Sequence, residues 1–366
     1  MQHTQHPRVL QLMADATGGI AGHVLSLTDG LNAAGWPTLI ATTAASAAAM
    51  PPGARHVVVA WPGRGGSLAQ LRRLIAGADI VHAHGHQAGS LAITVRAGLP
   101  RRRRPRLVVT WHNALLAGGP QRLAGAGMEV LQAVGADLLT GASSDLVTRA
   151  HRLGARHAEL SEVAAPDLTP WPGGRAQARE EVADLGLAAG ATWILTVSRI
   201  APQKNLPVLV DAAAQVGRTG AVVWVVVGAG DPALEARLRD QVLTSGAPVR
   251  FVGARPDVPR LVAAADLLVL PSRWEARSLV VQEAMAGGLP CVVTDTGGLP
   301  DLVGDAGLVV PVDDAAALAA AVRRVLDEPG LAGMLGEQAR HRAAAFPSPG
   351  DVVDAWVGRY ERLLSR

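Results

Sequence analysis

Short runs of Val, Ile and Leu recur along the 366 residues, separated by longer stretches whose apolar positions return every three or four residues. In the first half the runs fall at 9–13, 38–41, 57–60, 80–83, 107–111 and 137–140. In the second half they fall at 193–197, 222–227, 249–252, 267–270, 291–294 and 308–310. Runs that are apolar on both faces read as strands of a parallel sheet covered by helices. The intervening stretches supply the helices: Ile20, Val24, Leu27 and Leu31 share one face, as do Leu318, Val322 and Val325. Six strands twice over predicts an α/β chain with two doubly wound, Rossmann-like parallel sheets.

Pro166, Pro170, Pro172, Gly173 and Gly174 mark 166–190 as a linker between a first domain, 1–165, and a second, 191–346. A Phe-Pro-Ser-Pro-Gly break at 346–350 precedes an amphipathic stretch with Val352, Val353, Trp356 and Leu363. Residues 350–366 are therefore expected to form a helix that returns to the first domain.

Composition narrows the class. The apolar run 221–227 is far too short to span a bilayer, and no run exceeds eight residues. The opening residues do not read as a secretory leader, and the single cysteine, Cys291, lies inside an apolar run, so a cytoplasmic chain is expected. Aromatics are 3% of residues, a poor supply of stacking platforms for single-stranded nucleic acid.

Net charge is only +3, but it is unevenly spread. Residues 1–180 hold 17 basic and 10 acidic side chains, a balance of +7, and the remainder holds 17 and 21, a balance of −4. A basic first half suits an anionic substrate, a phospholipid surface or nucleic acid. The cluster Arg101, Arg102, Arg103, Arg104 and Arg106 reads either as a solvated loop or as a peripheral contact with the inner face of a membrane. Among 34 basic side chains there is one lysine, Lys204. In a chain so averse to lysine, a compact ammonium suggests a phosphate contact that a guanidinium cannot replace.

Candidate chemistry lies where strands end. The first βα turn carries Gly18 and Gly19, which either allow backbone to approach an anion at a helix end or simply make a tight turn. In the second half, Arg199 follows a strand and Lys204 precedes a helix, a pair of cations suited to a diphosphate, or else a solvated pair. Residues 228–233 match G-x-G-x-x-A, but the next strand end, 251–255, has no acidic residue for a dinucleotide ribose. Glu275 follows the strand at 267–270, and Glu283 stands eight residues on, inside a helix that starts at about Ser278. At that offset the two carboxylates reach separate hydroxyls of an extended ligand, with the amides of Leu279 and Val280 free to meet a phosphate between them. The plainer alternative makes Glu283 a helix-surface acid.

Arg199 with Lys204, Glu275 with Glu283, and the following Cys-Val-Val-Thr-Asp-Thr-Gly-Gly-Leu-Pro at 291–300 resemble the retaining glycosyltransferases of family 4. The resemblance extends over the chain, through Gly18 and Gly19, residues 79–84 and residues 110–113. It implies a GT-B architecture, with two Rossmann-like domains facing across a cleft and a C-terminal helix crossing back. It also implies roles. Arg199 and Lys204 would hold the donor diphosphate, Glu283 the ribose, and Glu275 the transferred sugar, helped by Ser278, Leu279 and Val280. Gly18 and Gly19 would close on the diphosphate, His112 would position the reacting sugar, and Arg255 stands near the base. Departures at Ala276, Ser278 and Asp301 blur the choice of sugar.

The expected activity is thus a hexosyltransferase moving a sugar from a nucleoside diphosphate, with UDP favoured from family frequency alone, to an acceptor hydroxyl. The acceptor is expected to be a small molecule, phosphorylated or lipid-linked. His82, His84 and His86 alternate at a strand end, yet they lack further ligands at metal-site spacing. No Asp-x-Asp pair occurs, so neither cofactor nor metal is expected; of the three histidines, one is expected to face the cleft and the others to pack or be solvated. Two rivals remain: a sugar-nucleotide epimerase of related fold, and a nucleic-acid-binding protein, which leaves Lys204, Glu275 and Glu283 unexplained.

Overall fold

Strands form where the chain is apolar on both faces, and every strand pairing is parallel. The computed structural model describes residues 6–16, 19–61, 68–115, 120–161, 163–164, 168–188, 190–217 and 221–366, without the side chains of 120–124. Its contacts divide the chain into one unit of Met1–Pro166 with Pro347–Arg366, and a second of Asp167–Phe346.

The first unit carries β1 (Val9–Met13), β2 (Thr38–Thr42), β3 (His56–Val58), β4 (Ile80–His84), β5 (Arg106–Trp111), β6 (Leu138–Gly141) and β7 (Ala158–Leu160), in spatial order β3-β2-β1-β4-β5-β6-β7. The seventh strand corrects the expectation of six. It is a three-residue Ala-Glu-Leu edge strand, partly exposed and paired only with β6, so no apolar run announces it.

The second unit carries β8 (Thr192–Val197), β9 (Val222–Val227), β10 (Val249–Phe251), β11 (Leu267–Leu270), β12 (Cys291–Thr294) and β13 (Gly307–Val310), in spatial order β10-β9-β8-β11-β12-β13. In both sheets the strand order reverses beside the first strand, the position where open α/β sheets receive ligands at their carboxyl edge. Cys291 is buried in β12, and burial pushes its thiol up to about 12, so it is an inert core residue.

Within 166–190, Arg175–Glu181 form a helix of the second unit. Ala178 is fully buried, and Arg179 bonds Asp266 at 2.7 Å while lying over the Trp193 ring. The C-terminal helix Pro349–Leu364 belongs to the first unit and opens with a Ser348/Asp351 capping box. Its stripe of Val352, Val353, Trp356, Tyr360 and Leu363 is buried in one cluster with Leu27 and Leu31 of the helix Gly19–Ala33. Among the described residues no helix is long and apolar enough to cross a membrane.

Candidate functional site

In the second unit the loops after β8, β9, β11 and β12 are bound to one another. The glycines of the G-x-G match serve this packing: a Cβ on Gly228 or Gly230 would lie 1.9 Å from the Ser198 carbonyl oxygen or 2.1 Å from that of Ile200. That close approach lets Ile200 N donate to Ala229 O and Asp231 N to Ile200 O, which fixes the loop carrying the exposed Arg199. Asp231 then caps the helix Pro232–Ser245 through the amides of Ala233 and Leu234.

Lys204 ends a 3-10 turn, Pro202–Lys204, ahead of the helix Leu206–Val216. The turn is clamped to the loop after β11: Arg273 N donates to Gln203 O at 2.8 Å, and Gln203 Nε2 donates to Trp274 O at 2.7 Å. The clamp brings Lys204 Nζ into an ion pair with Glu275 Oε1, which also accepts from Ser272 Oγ at 2.7 Å. Only 15% of the lysine side chain and 11% of the glutamate side chain are exposed, so this pair is largely withdrawn from water. From the other side, Gly298 N donates to Glu275 O at 2.9 Å. Gly297, at φ +55°, leaves room for that oxygen, which a Cβ would meet at 1.8 Å.

Ser278 is the N-cap of the helix Leu279–Ala286, as its spacing predicts. The first intrahelical bond is Gln282 N to Ser278 O, so the amides of Leu279, Val280 and Val281 precede it and have no acceptor of their own within the helix. Glu283 lies in the second turn, half-buried. Arg255, beyond β10, is locked by a bidentate pair with Asp257 and a second pair with Asp184. These bonds raise its pKa further and lower those of both acids.

The first unit builds a different kind of site. On one face of the sheet, Val9 of β1, Ile80 of β4, Val108 of β5 and Leu138 of β6 are all buried in the cluster with the C-terminal helix. Two residues on, towards the carboxyl edge, the same face carries Gln11, His82, Thr110 and Thr140; His84 follows on β4 and His112 just beyond β5. Thr110 Oγ1 lies 2.6 Å from Thr140 Oγ1 and 2.6 Å from His82 Nε2, and His82 Nδ1 lies 2.7 Å from the Tyr360 hydroxyl. Gln11 Nε2 lies 3.3 Å from that hydroxyl and Gln11 Oε1 2.7 Å from His84 Nε2. His84 Nδ1 lies 3.0 Å from His112 Nε2.

Backbone on either side of His112 is pinned. The Trp111 indole donates to Gln132 Oε1 at 2.6 Å, and His86 Nε2 donates to Asn113 O at 2.8 Å. His23, on the helix Gly19–Ala33, lies edge-on to His84 and His112, with its Nε2 buried and without a partner. Burial pushes His23 down to about 4, and burial first, then neighbouring positive charge, holds His82, His84 and His112 well below the usual imidazole range. The cluster is neutral at pH 7. None of His82, His84 and His86 is solvated, and among the described residues no three His, Cys, Asp or Glu side chains are grouped to hold a metal ion.

Gly19 begins the helix Gly19–Ala33, and Gly18 lies outside the described residues. Sequence reasoning missed Gln11, Tyr360, Ser272 and His23 as site residues. A signal for the first was present: β1, β4, β5 and β6 are largely apolar, yet each carries a polar residue on the same face of the sheet.

A family model for group 1 glycosyl transferases matches residues 191–328, and one for the glycosyl transferase 4-like domain matches 18–166. A D-inositol 3-phosphate glycosyltransferase of Jonesia denitrificans is 33% identical over 312 residues, covering 78% of this chain and 72% of the relative. The alpha-D-kanosaminyltransferase of Streptomyces kanamyceticus is 33% identical over 180 residues, covering 46% and 45%. Like the latter, most of the curated relatives are matched over less than half their length. Among solved structures, Anabaena HepE in complex with UDP-glucose superposes with a TM-score of 0.84 at 21% identity, covering 98% of this chain and 100% of that one. Sucrose-phosphate synthase from Thermosynechococcus elongatus gives 0.80 at 23%, covering 98% and 99%.

Proposed function

The chain belongs to the group 1, family 4-like glycosyltransferases of GT-B fold, and we propose that it is a retaining hexosyltransferase using a nucleoside-diphosphate sugar, UDP-linked by preference. The observation that carries this reading is the joining of Lys204, Glu275 and the free amides of 279–281 by loops at one carboxyl edge of the second sheet. A buried ammonium, an exposed guanidinium at Arg199 and a helix N-terminus form a site for a diphosphate.

In the proposed reaction the bond between the anomeric carbon and the diphosphate oxygen breaks first, leaving an oxocarbenium-like sugar. Arg199, Lys204 and the amides of Leu279 and Val280 stabilise the charge gathering on the leaving phosphate. The acceptor oxygen bonds to the same face of the anomeric carbon, and its proton passes to the leaving phosphate. Glu275 holds sugar hydroxyls, Glu283 holds the ribose, and neutral His112 positions a hydroxyl of the reacting sugar. The diphosphate charge is met by protein cations, without a metal ion or cofactor.

The acceptor is proposed to be a small, hydroxyl-rich and phosphorylated molecule. Two observations support that choice. The first unit carries 18 basic and 11 acidic side chains against 16 and 20 in the second, and a relative is named for D-inositol 3-phosphate. The enzyme is proposed to act in the cytoplasm, with the exposed arginines at 101–103 as its contact with an anionic membrane.

A thermal-shift panel of UDP, GDP, ADP, dTDP and NAD, each with and without EDTA, tests the donor. Selective stabilisation by UDP, unchanged by EDTA, is expected. Stabilisation by NAD alone overturns the reading, and a response abolished by EDTA overturns its metal independence. The anomeric configuration of the product, read by proton NMR, tests retention.

A further inference from the structure

The geometry points to the buried chain from Tyr360 through Gln11 and His84 as the device that fixes His112 in its Nε2–H tautomer, leaving Nδ1 as an acceptor for a substrate hydroxyl. The tautomer stands independently of any activity; only its consequence for turnover rests on the proposed place of His112 at the reacting sugar.

A neutral imidazole has one N–H and one bare nitrogen, so each histidine in a hydrogen-bonded run transmits direction to the next. Gln11 sets that direction, because its amide offers an acceptor at one end and donors at the other. Oε1 faces His84 Nε2 at 2.7 Å, so His84 Nε2 carries the proton and donates. His84 Nδ1 is then bare, and His112 Nε2, 3.0 Å away, donates to it. That leaves His112 Nδ1 bare and outside the chain.

On the other side the same amide donates through Nε2 to the Tyr360 oxygen at 3.3 Å. The Tyr360 proton goes to His82 Nδ1 at 2.7 Å, and His82 Nε2 donates to Thr110 Oγ1 at 2.6 Å. Thr110 in turn donates to Thr140 Oγ1 at 2.6 Å. With the Gln11 amide in this orientation every contact in the run pairs a donor with an acceptor. Turning the Gln11 amide over reverses all of them together and moves the proton of His112 to Nδ1. The group that bonds the other end of the amide is the hydroxyl of Tyr360, fully buried on the C-terminal helix. A helix 248 positions along the chain from His112 is thus a positioning element for it.

The test is nitrogen NMR of the full chain labelled on its histidine rings, which separates protonated from bare ring nitrogens. At pH 7 the wild-type protein is expected to show His84 and His112 neutral, both protonated at Nε2. Tyr360→Phe deletes the hydroxyl that anchors the amide, so His112 is expected to become a mixture of tautomers. Its kcat is expected to fall about tenfold to a hundredfold with KM for the nucleotide sugar unchanged, the scale on which outer partners of a working histidine act. Gln11→Glu keeps an acceptor facing His84 and is expected to retain the Nε2–H form, whereas Gln11→Leu loses it. A wild-type His112 protonated at Nδ1 overturns the inference, and this needs no folded variant. So does a His112 spectrum unmoved by both Tyr360→Phe and Gln11→Leu. If the tautomer moves while turnover does not, the chain stands and the catalytic place of His112 falls.

Discussion

The two units put opposite electrostatics at the same place in the same topology. In each sheet the candidate residues lie at the carboxyl edge beside the strand-order switch, around β1, β4 and β5 in one and β8, β11 and β12 in the other. The second unit offers charge: an exposed arginine, a desolvated lysine–glutamate pair and unpaired helix amides. The first offers neutral dipoles: hydroxyls, an amide and imidazoles joined in one run, the imidazoles too buried to take up a second, charging proton. In the proposed reaction, fixed charge serves a group whose charge grows. Neutral, directional groups serve a hydroxyl that must be oriented without being trapped. The fold supplies the position, and the side chains decide which task it performs.

The largest effect is expected from Lys204→Ala. In the proposed reaction this removes a cation from the departing phosphate and should lower kcat by about 10²–10³-fold. UDP binding should weaken while uridine binding is unchanged, and titration calorimetry with both ligands checks this. Lys204→Arg should not restore the rate, because the ammonium is fitted against Glu275 and a planar fork is not a substitute. Equal losses for UDP and uridine would erase the contrast by showing that Lys204 acts on the structure of the site and not on phosphate. Glu275→Gln should lower kcat with nucleotide affinity nearly intact, since Ser272 can still bond the amide oxygen.

Next comes Gly297→Ala. Its added Cβ would lie 1.8 Å from the Glu275 carbonyl oxygen at a left-handed φ of +55°, so the loops after β11 and β12 must part. A loss of roughly 2–4 kcal/mol in urea unfolding is expected, as for other strained or overpacked backbone sites. Hydrogen exchange should localise the loosening to 272–278 and leave the first unit unchanged.

Acid should act on the other unit. His23 is held down at about 4 against about 6.5 when unfolded, so between those values the unfolded chain binds more protons and stability falls as pH falls. His23 alone should cost about 2 kcal/mol between pH 7 and pH 5. His82, His84 and His112, shifted in the same direction, add to that loss. The second unit has a single histidine, His341, and its shifted carboxylates, Asp184 and Asp257, are lowered, so their contribution is lost only below the ordinary carboxylate range. Hydrogen exchange at pH 7 and pH 5 should show β1, β4 and β5 losing protection while β8, β11 and β12 keep it. Equal loss in both units would break the comparison.

The same contrast explains what the sequence disclosed. Strands such as 222–227 and 267–270 are apolar on both faces and announce themselves; Ala158–Leu160 at a sheet edge does not. Arg199, Lys204, Glu275 and Glu283 stand out in the sequence as candidates because charge near a strand end or helix start is costly to keep without a purpose. The pairing of Lys204 with Glu275 was not, since 71 positions separate them and only loop packing joins them. The neutral chain was harder still. A Gln or Thr within a strand reads as ordinary, and Tyr360 enters from a helix at the far end of the sequence. Arg255 is a cation near a strand end whose partners are the nearby Asp257 and Asp184, 71 positions away.

The smallest effects on the fold are expected in the arginine cluster, which separates the two tasks of one residue type. Arg104 caps the helix His86–Ala97, donating to Ala97 O at 2.6 Å and Leu99 O at 3.0 Å, where a cation also meets the negative end of the helix. Arg104→Ser should therefore cost about 1 kcal/mol of stability. Arg102 is exposed in the short helix Arg101–Arg103 ahead of β5, and Arg102→Ser should stay within about 0.5 kcal/mol. Its effect should appear instead on anionic vesicles, where one arginine near the surface is worth about 1 kcal/mol, close to fivefold in partitioning. That surface lies at the amino edge of the sheet. His112 follows the opposite end of β5, and six residues at about 3.3 Å each put about 20 Å between them. An arginine contact there orients the unit on a membrane without touching the neutral chain, so Arg102→Ser should weaken vesicle binding and leave the His112 tautomer unchanged. Vesicle binding unaffected by Arg102→Ser would reduce the exposed arginines at 101–103 to a solvated loop and leave only the structural task of Arg104 to the cluster.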